Sequence, residues 1–470
     1  MSQTRSNNTP FWLLLIGLFL ILVNNSLLTE GMFFDGVTYA SISRNMAEGQ
    51  GTFWNPHYTQ TLYPEFRQHP PLALGMEALA FKAFGDHLWV EKAYSVLMFL
   101  LSGLLVALIW KRTTNNIRWA WLPLLFWLAM PLVSWSATNN LLENTMSVFV
   151  LLSVYLMIVS YQRNHKFWLI LSSVVLLMAF LSKGFTGLFP LVFPILYCAF
   201  DQKRKWIQGP IDSLILLVCL AVLAGIMFIV FPPSLPYLKD YFQLQVIGGG
   251  LHEATVSSRF YIVFSLLLQL IVALVMVIAL VILKTKNKDN RKLFEFPPDK
   301  AWFYIFLILG LLGVLPIMMS VKQRDFYMLA ALPFFALACG HITLSMVNML
   351  MLRITPSLRK WLTLGACCVV LLGVVLNLVH LGKYGRDEAL IEEVKAQITV
   401  ADGNNLIEIT PEEYTQWAKH AYYMRYGKIS LRPTEQPAPI DSRQPACQPG
   451  NDMGVPNEQL KCFAFDEVNN

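Results

Sequence analysis

Residues 211–231 read IDSLILLVCLAVLAGIMFIVF, an apolar run with one acidic residue near its start. A helix rises about 1.5 Å per residue, so crossing the hydrocarbon core of roughly 30 Å takes about 20 residues. This run is long enough, and it contains almost no side chains that would favour water. It predicts a transmembrane helix.

Similar runs recur along the chain. The 470-residue sequence is 55% hydrophobic and only 14% charged, which fits no ordinary soluble class. We therefore expect an all-α polytopic membrane protein with about eleven transmembrane helices. They are predicted near residues 11–28, 90–110, 118–136, 145–161, 166–182, 186–200, 211–231, 258–283, 301–320, 325–347 and 361–381.

Basic residues predict the orientation of these helices. They cluster in every second connection, at 111–118, 163–166, 203–205, 284–300 and 353–360, as the positive-inside rule requires of cytoplasmic loops. The N-terminus is then cytoplasmic, and the C-terminus lies on the non-cytoplasmic side. The net charge of +6 is spread over these loops and forms no basic stripe, so nucleic acid is not expected as a partner.

One predicted span, 186–200, controls this orientation. It is short and contains Pro190 and Pro194, so a tilted or re-entrant segment is the alternative to a crossing. Without this crossing, every later segment would change sides. The alternation of basic connections argues for the crossing.

The polar segments predict two further features. Loop 29–89 contains two amphipathic stretches, 36–48 and 72–85, which predict interfacial helices, and 235–247 resembles a third. The composition changes sharply near 383, which divides a membrane domain, 1–382, from a small extracytoplasmic α/β segment, 383–470. Cys447 and Cys462 lie in this polar tail, either as a disulfide or as two free thiols.

Two acidic residues on the predicted outer face are candidates for chemistry. Asp35 follows the first span beside apolar aromatics, where a carboxylate can have a raised pKa and act as a base, or can cap the helix 36–48. Glu143 lies in the polar cluster 139–145 at the start of a span. It either faces a cavity or a charged partner, or is an ordinary interfacial residue.

Several basic residues on the same predicted outer face are exceptions to the positive-inside rule. They occur in three outer segments, which indicates an anion such as a phosphate at the membrane surface, or else side chains that reach towards lipid headgroups. These residues are Arg67 and His69 in the first loop, Lys183 at a helix end, and Lys322 and Arg324 just before Tyr327.

In their order and sidedness these residues resemble the GT-C membrane glycosyltransferases related to protein O-mannosyltransferases and to the bacterial lipid A aminoarabinose transferase. The resemblance spans roughly residues 10–345. It is carried by short motifs: Asp35 with Tyr39, the segment 67–72, Glu143, Ser182-Lys183-Gly184 followed by Pro190, and Lys322 to Tyr327 leading into Leu332-Pro333.

The resemblance implies a bacterial inner membrane, with the C-terminus in the periplasm. It also implies a sugar donor carried on a polyprenyl phosphate and an inverting substitution at the anomeric carbon. Asp35 would be the base that deprotonates the acceptor hydroxyl, while Lys183, Lys322 and Arg324 would stabilise the leaving phosphate. Tyr39, Arg67, His69 and Tyr327 would complete the substrate site.

The resemblance leaves three points open. His69 stands where relatives often have Lys, so a phosphate contact there would require protonated histidine. Glu143 would orient the acceptor, assist the base or help to hold a divalent metal ion, although no histidine-rich ligand set accompanies it. Besides membrane lipids, the partner would be an acceptor lipid such as lipid A, a glycan or a protein hydroxyl.

Two other functions also fit a chain with many spans. A transporter or lipid flippase would be expected to place its charges within the spans and in paired repeats, whereas here they gather at one water boundary. A polysaccharide ligase would share the lipid-linked donor but usually has a large late outer loop, whereas the long outer loop here comes first.

Overall fold

The computed structural model describes residues 8–200, 204–249, 254–286, 300–401 and 403–434; Cys447 and Cys462 lie outside this part of the chain. The described residues are mainly helical. The helices are α1 Thr9–Leu22, α2 Phe34–Ala47, α3 Leu72–Phe84, α4 Val90–Thr114, α5 Trp121–Leu128, α6 Pro131–Ala137, α7 Leu142–Arg163, α8 Lys166–Lys183, α9 Phe193–Phe200, α10 Gln208–Val230, α11 Ser234–Tyr241, α12 Tyr261–Lys286, α13 Lys300–Val314, α14 Leu332–Leu352, α15 Pro356–Val379, α16 Glu388–Ala401, α17 Pro411–Tyr414 and α18 Trp417–Gly427.

The chain is a multi-pass membrane protein. Within the described residues, 8 helical segments are long and apolar enough to cross a membrane, or 9 if α5 and α6 count as one bent span. α1 and the segment Phe185–Phe200 are apolar but shorter. Each predicted run coincides with one of these segments, and the number of eleven crossings stays a prediction.

The bend between α5 and α6 measures 93° and has a local cause. Pro131 begins α6, and proline has no N–H and clashes with a continuing helix. The freed N–H of Leu132 donates to the side-chain oxygen of Gln269 on α12, at 2.8 Å. A broken helix is tolerated in a membrane because neighbouring segments satisfy its backbone in this way.

α2 and α3 form where the amphipathic pattern predicts them, but α2 is enclosed by protein. Every residue from Gly36 to Asn45 is buried, so α2 does not lie open on a membrane surface. α3 packs along one side of it and α18, from the C-terminal segment, along another. We call the end of the bundle that carries these elements the loop end.

Strands are short. β1 Gly51–Thr52 pairs antiparallel with β2 Asn55–Pro56 in the first loop. β3 Leu406–Ile409 pairs parallel with β4 Ser430–Pro433, with α17 and α18 between them in sequence. The C-terminal segment therefore has the predicted α/β character, and its apolar core includes Ile391, Val394 and Ala421.

The C-terminal segment is joined to the first loop by main-chain hydrogen bonds. The N–H of Glu30 donates to the carbonyl of Lys383 at 2.8 Å, and the N–H of Gly385 donates to the carbonyl of Glu30 at 2.9 Å. The two parts therefore meet where the chain leaves α1 and where it leaves α15.

Gly36 is required by a close approach of two segments. A Cβ at this position would overlap the main-chain oxygen of Asn139, in the turn between α6 and α7. The glycine therefore lets the first turn of α2 touch this turn directly.

We expect Gly36→Ala to lower the free energy of unfolding by about 1–3 kcal/mol, because one of the two segments must move to make room. Gly225→Ala on α10 is the matched control, since a Cβ there meets open space. Thermal unfolding in detergent should show a lower midpoint for the first variant only. Equal midpoints would contradict the close approach.

Candidate active site

Asp35 lies in the first turn of α2, and the main chain around it is fixed. The N–H of Phe33 donates to the side-chain oxygen of Asn139 at 2.7 Å, and the side-chain amide of Asn140 donates to the carbonyl of Gly36 at 3.2 Å. Phe33, not Asp35, occupies the N-cap position, and no side chain caps the helix. The capping role considered for Asp35 is therefore absent.

Lys183 and Glu143 form an ion pair at the loop end. Their charged atoms are 3.1 Å apart, and the side chains are only 7% and 1% exposed. Within the described residues, neither carboxylate oxygen of Glu143 has a hydrogen bond besides this ion pair. The pair joins the last residue of α8 to the first turn of α7.

Aromatic rings surround the ammonium group of Lys183. It lies 5.7 Å from the ring centres of Tyr39 and Tyr327, and 5.9 Å from that of Phe326. An ammonium group is attracted to the faces of aromatic rings. Three segments that are distant in sequence thus meet at this lysine.

Two more cations lie in the segment after α13. Lys322 is buried, and its ammonium group donates to the side-chain oxygen of Gln245 at 3.3 Å. Arg324 is half-buried, and within the described residues its guanidinium forms no ion pair or hydrogen bond. Both are close enough to Asp35 to lower the pKa of its carboxyl group.

The pKa of Asp35 reflects opposing effects. Burial is the largest and raises the pKa to about 6; Lys183, Arg324 and Lys322 lower it, and Glu143 raises it. The carboxylate makes no hydrogen bond to the described residues. Asp35 is therefore ionised at neutral pH and more basic than an ordinary aspartate, as a general base requires.

Comparisons with known proteins agree with the predicted fold. The family model described as dolichyl-phosphate-mannose-protein mannosyltransferase matches residues 68–228. The structure of ArnT from Cupriavidus metallidurans in the apo state is 14% identical, with a TM-score of 0.50, over 87% of this chain and 72% of that one. The chain has the GT-C fold. The predicted resemblance to these membrane glycosyltransferases is confirmed, and the roles of the individual motif residues stay predictions.

Two further solved structures are similar to this chain. ArnT from the same organism bound to undecaprenyl phosphate is 15% identical, covering 88% of this chain and 74% of that one, with a TM-score of 0.49. The archaeal oligosaccharyltransferase AglB from Archaeoglobus fulgidus, in complex with an inhibitory peptide and a dolichol-phosphate, is 13% identical, covering 93% and 62%, with a TM-score of 0.45. No curated protein matches the sequence.

Arg67 and His69 differ from the cationic pair that the sequence suggests. The guanidinium of Arg67 pairs with Asp240 on α11 and with Glu65, the latter at 2.5 Å, so a phosphate would compete with two carboxylates. Burial, Lys183 and Lys322 hold the pKa of His69 well below its usual range. This lowering disfavours the protonated form that a phosphate contact would require, and the ring lies edge-on to Tyr39 at 5.7 Å. A phosphate contact of His69 stays a prediction.

Glu77 on α3 belongs to the site's framework and was not singled out from the sequence. Its buried carboxyl accepts hydrogen bonds from the Ser43 hydroxyl at 2.8 Å and the Asn140 amide at 2.7 Å. Burial raises its pKa to about 8, so the group is largely protonated at neutral pH. The sequence signal that could have identified Glu77 is an acidic residue on the apolar face of the amphipathic stretch 72–85.

The described residues contain no group of three or more histidine, cysteine, aspartate or glutamate side chains that could hold a metal ion. At Glu143 the neighbouring charge is instead the cation of Lys183. The described residues therefore offer Glu143 no set of acidic, histidine or cysteine ligands with which it could hold a metal ion.

We expect Lys183→Met to lower the free energy of unfolding by about 3 kcal/mol or more, because Glu143 is left as an unpaired buried charge. Adding Glu143→Gln removes that charge and should restore most of the loss. Thermal unfolding of both single variants and the double variant measures the coupling. Additive effects would show that the two residues do not interact.

Proposed function

We propose that the protein is a glycosyltransferase that moves a sugar from a polyprenyl phosphate to an acceptor hydroxyl. The observation that carries the proposal is the combination at the loop end of one ionised, weakly acidic aspartate, Asp35, with the cations of Lys183, Lys322 and Arg324. A base and an anion site side by side are what transfer from a lipid phosphate requires. The GT-C fold supports the same reaction class.

In the proposed reaction Asp35 takes the proton of the acceptor hydroxyl as its oxygen bonds to the anomeric carbon. The bond from that carbon to the phosphate oxygen breaks, and the phosphate leaves with the electron pair from the opposite face, which inverts the configuration. Lys183, Lys322 and Arg324 stabilise the charge that develops on the phosphate.

Exposed apolar side chains beside the cations support a donor with a lipid tail. Phe185 follows Lys183 by two residues and is 50% exposed, and its ring lies 6.0 Å from that of Phe242, which is 41% exposed. A prenyl chain on these rings would keep its phosphate near Lys183. In this proposal the loop end faces the periplasm, and Tyr39, His69 and Tyr327 line the sugar site.

The donor sugar and the acceptor are identified by mass spectrometry of envelope lipids, glycans and proteins from cells with and without the gene. Loss of a single hexose, pentose or amino-sugar increment would name the sugar and show whether lipid A, another glycan or a protein receives it. The same product then serves as the readout for variants.

We expect Asp35→Asn to abolish formation of this product while leaving expression and thermal stability intact, because the amide cannot accept the acceptor's proton. Glu48→Gln is the control at the other end of α2, where the acid pairs with Lys428 at 2.5 Å. Near-normal transfer by Asp35→Asn would overturn the base assignment.

The pH dependence tests the charges around Asp35. The active form is deprotonated, so kcat/KM should rise about tenfold per pH unit below pH 6 and level off above it. Arg324 lowers the pKa of Asp35, so Arg324→Gln should move this rise to higher pH. A rise that stays in place, or moves to lower pH, would contradict the proximity of the two groups.

A further inference from the structure

Helix α18 of the C-terminal segment lies against α2, the helix that carries Asp35, and contacts it near both ends. Tyr422 reaches Met32, just before α2, and the indole N–H of Trp417 donates to the hydroxyl of Thr38 at 3.0 Å. At the far end, Arg44 of α2 donates to the carbonyls of Met424 and Arg425, at 3.0 and 3.2 Å.

Buried charges anchor this contact. Arg425 donates two hydrogen bonds to the carboxylate of Glu91 on α4, both 3.0 Å long, and one to Asp86 at 2.7 Å. The side chains of Arg425 and Glu91 are each 3% exposed. A buried, doubly hydrogen-bonded pair is costly to break, so α18 is held firmly in place.

The hydroxyl of Tyr422 fixes the chain where it enters α2. It accepts a hydrogen bond from the N–H of Met32 at 3.2 Å, and it lies within donating distance of the Met32 carbonyl, 2.9 Å, and the Asp387 carboxylate, 2.8 Å. Tyr422 is fully buried. The next residue, Phe33, is held from the opposite side by Asn139.

We propose that α18 positions Asp35 for proton transfer and that Tyr422 is the positioning residue. The inference rests on the proposed function, in which Asp35 is the base. Asp35 has no side-chain hydrogen bond to the described residues, so its location depends on the main chain from Met32 to Gly36. Tyr422 and Asn139 hold that main chain from two separate parts of the protein.

Loss of this support should slow transfer without weakening the donor site. A displacement of about 1 Å can cost on the order of a hundredfold in rate, so we expect Tyr422→Phe to reduce kcat about tenfold or more. Lys183, Lys322 and Arg324 do not contact Tyr422, so affinity for undecaprenyl phosphate should be unchanged.

The experiment compares Tyr422→Phe with Tyr423→Phe in the full-length protein in nanodiscs. The control removes the same atom from the same helix, where the Tyr423 hydroxyl donates to Glu393 at 2.9 Å and that carboxylate keeps Lys419 as a partner. Three quantities are measured: transfer rate, undecaprenyl phosphate binding by native mass spectrometry, and amide hydrogen exchange in residues 32–36.

Slower transfer and faster exchange at 32–36 in Tyr422→Phe only, with unchanged undecaprenyl phosphate binding, would support the inference. Behaviour identical to Tyr423→Phe would overturn it. The proposed function fails separately, if cells with and without the gene show no difference in any sugar increment. If Tyr422→Phe does not accumulate, Trp417→Phe removes the hydrogen bond to Thr38 and keeps an aromatic side chain at this position. Wild-type transfer and exchange in that variant would also overturn the inference.

Discussion

The buried ion pair between Lys183 and Glu143 is the constraint on which the loop end depends. Each charge would be strongly unfavourable alone in this environment, so the end of α8 and the start of α7 must stay together. The same lysine is surrounded by the rings of Tyr39, from α2, and of Phe326 and Tyr327, from the segment after α13. One pair thereby fixes where two other parts of the site can lie.

Much of the fold follows from the sequence because lipid imposes a simple rule. A run that is apolar on every side must be helical in a membrane, since its main chain has no other hydrogen-bond partner. The break at Pro131 could also be anticipated from its chemistry. The hydrogen bond that compensates for the break could not be anticipated. Gln269 lies 137 residues further along the chain, and only the packed structure brings it to Leu132.

The candidate site likewise contains residues that the sequence reveals and residues that only the packed structure brings together. Asp35, Glu143, Lys183, Lys322 and Arg324 stand out in the sequence as charges at the boundaries of apolar runs, and the structure places them together. The residues that support them are polar residues that nothing in the neighbouring sequence marks out. The contacts of Asn140 with Glu77 and of Tyr422 with Met32 link residues 63 and 390 positions apart, so no local pattern predicts them.

The electrostatics of Asp35 also suit the proposed reaction. Burial raises its pKa while three cations lower it, so the free protein keeps the group ionised at neutral pH. A donor phosphate bound to those cations would offset part of their charge, and the pKa of Asp35 would then rise. The carboxylate would thus become a stronger base when the donor is in place, which couples proton removal from the acceptor to the presence of the sugar.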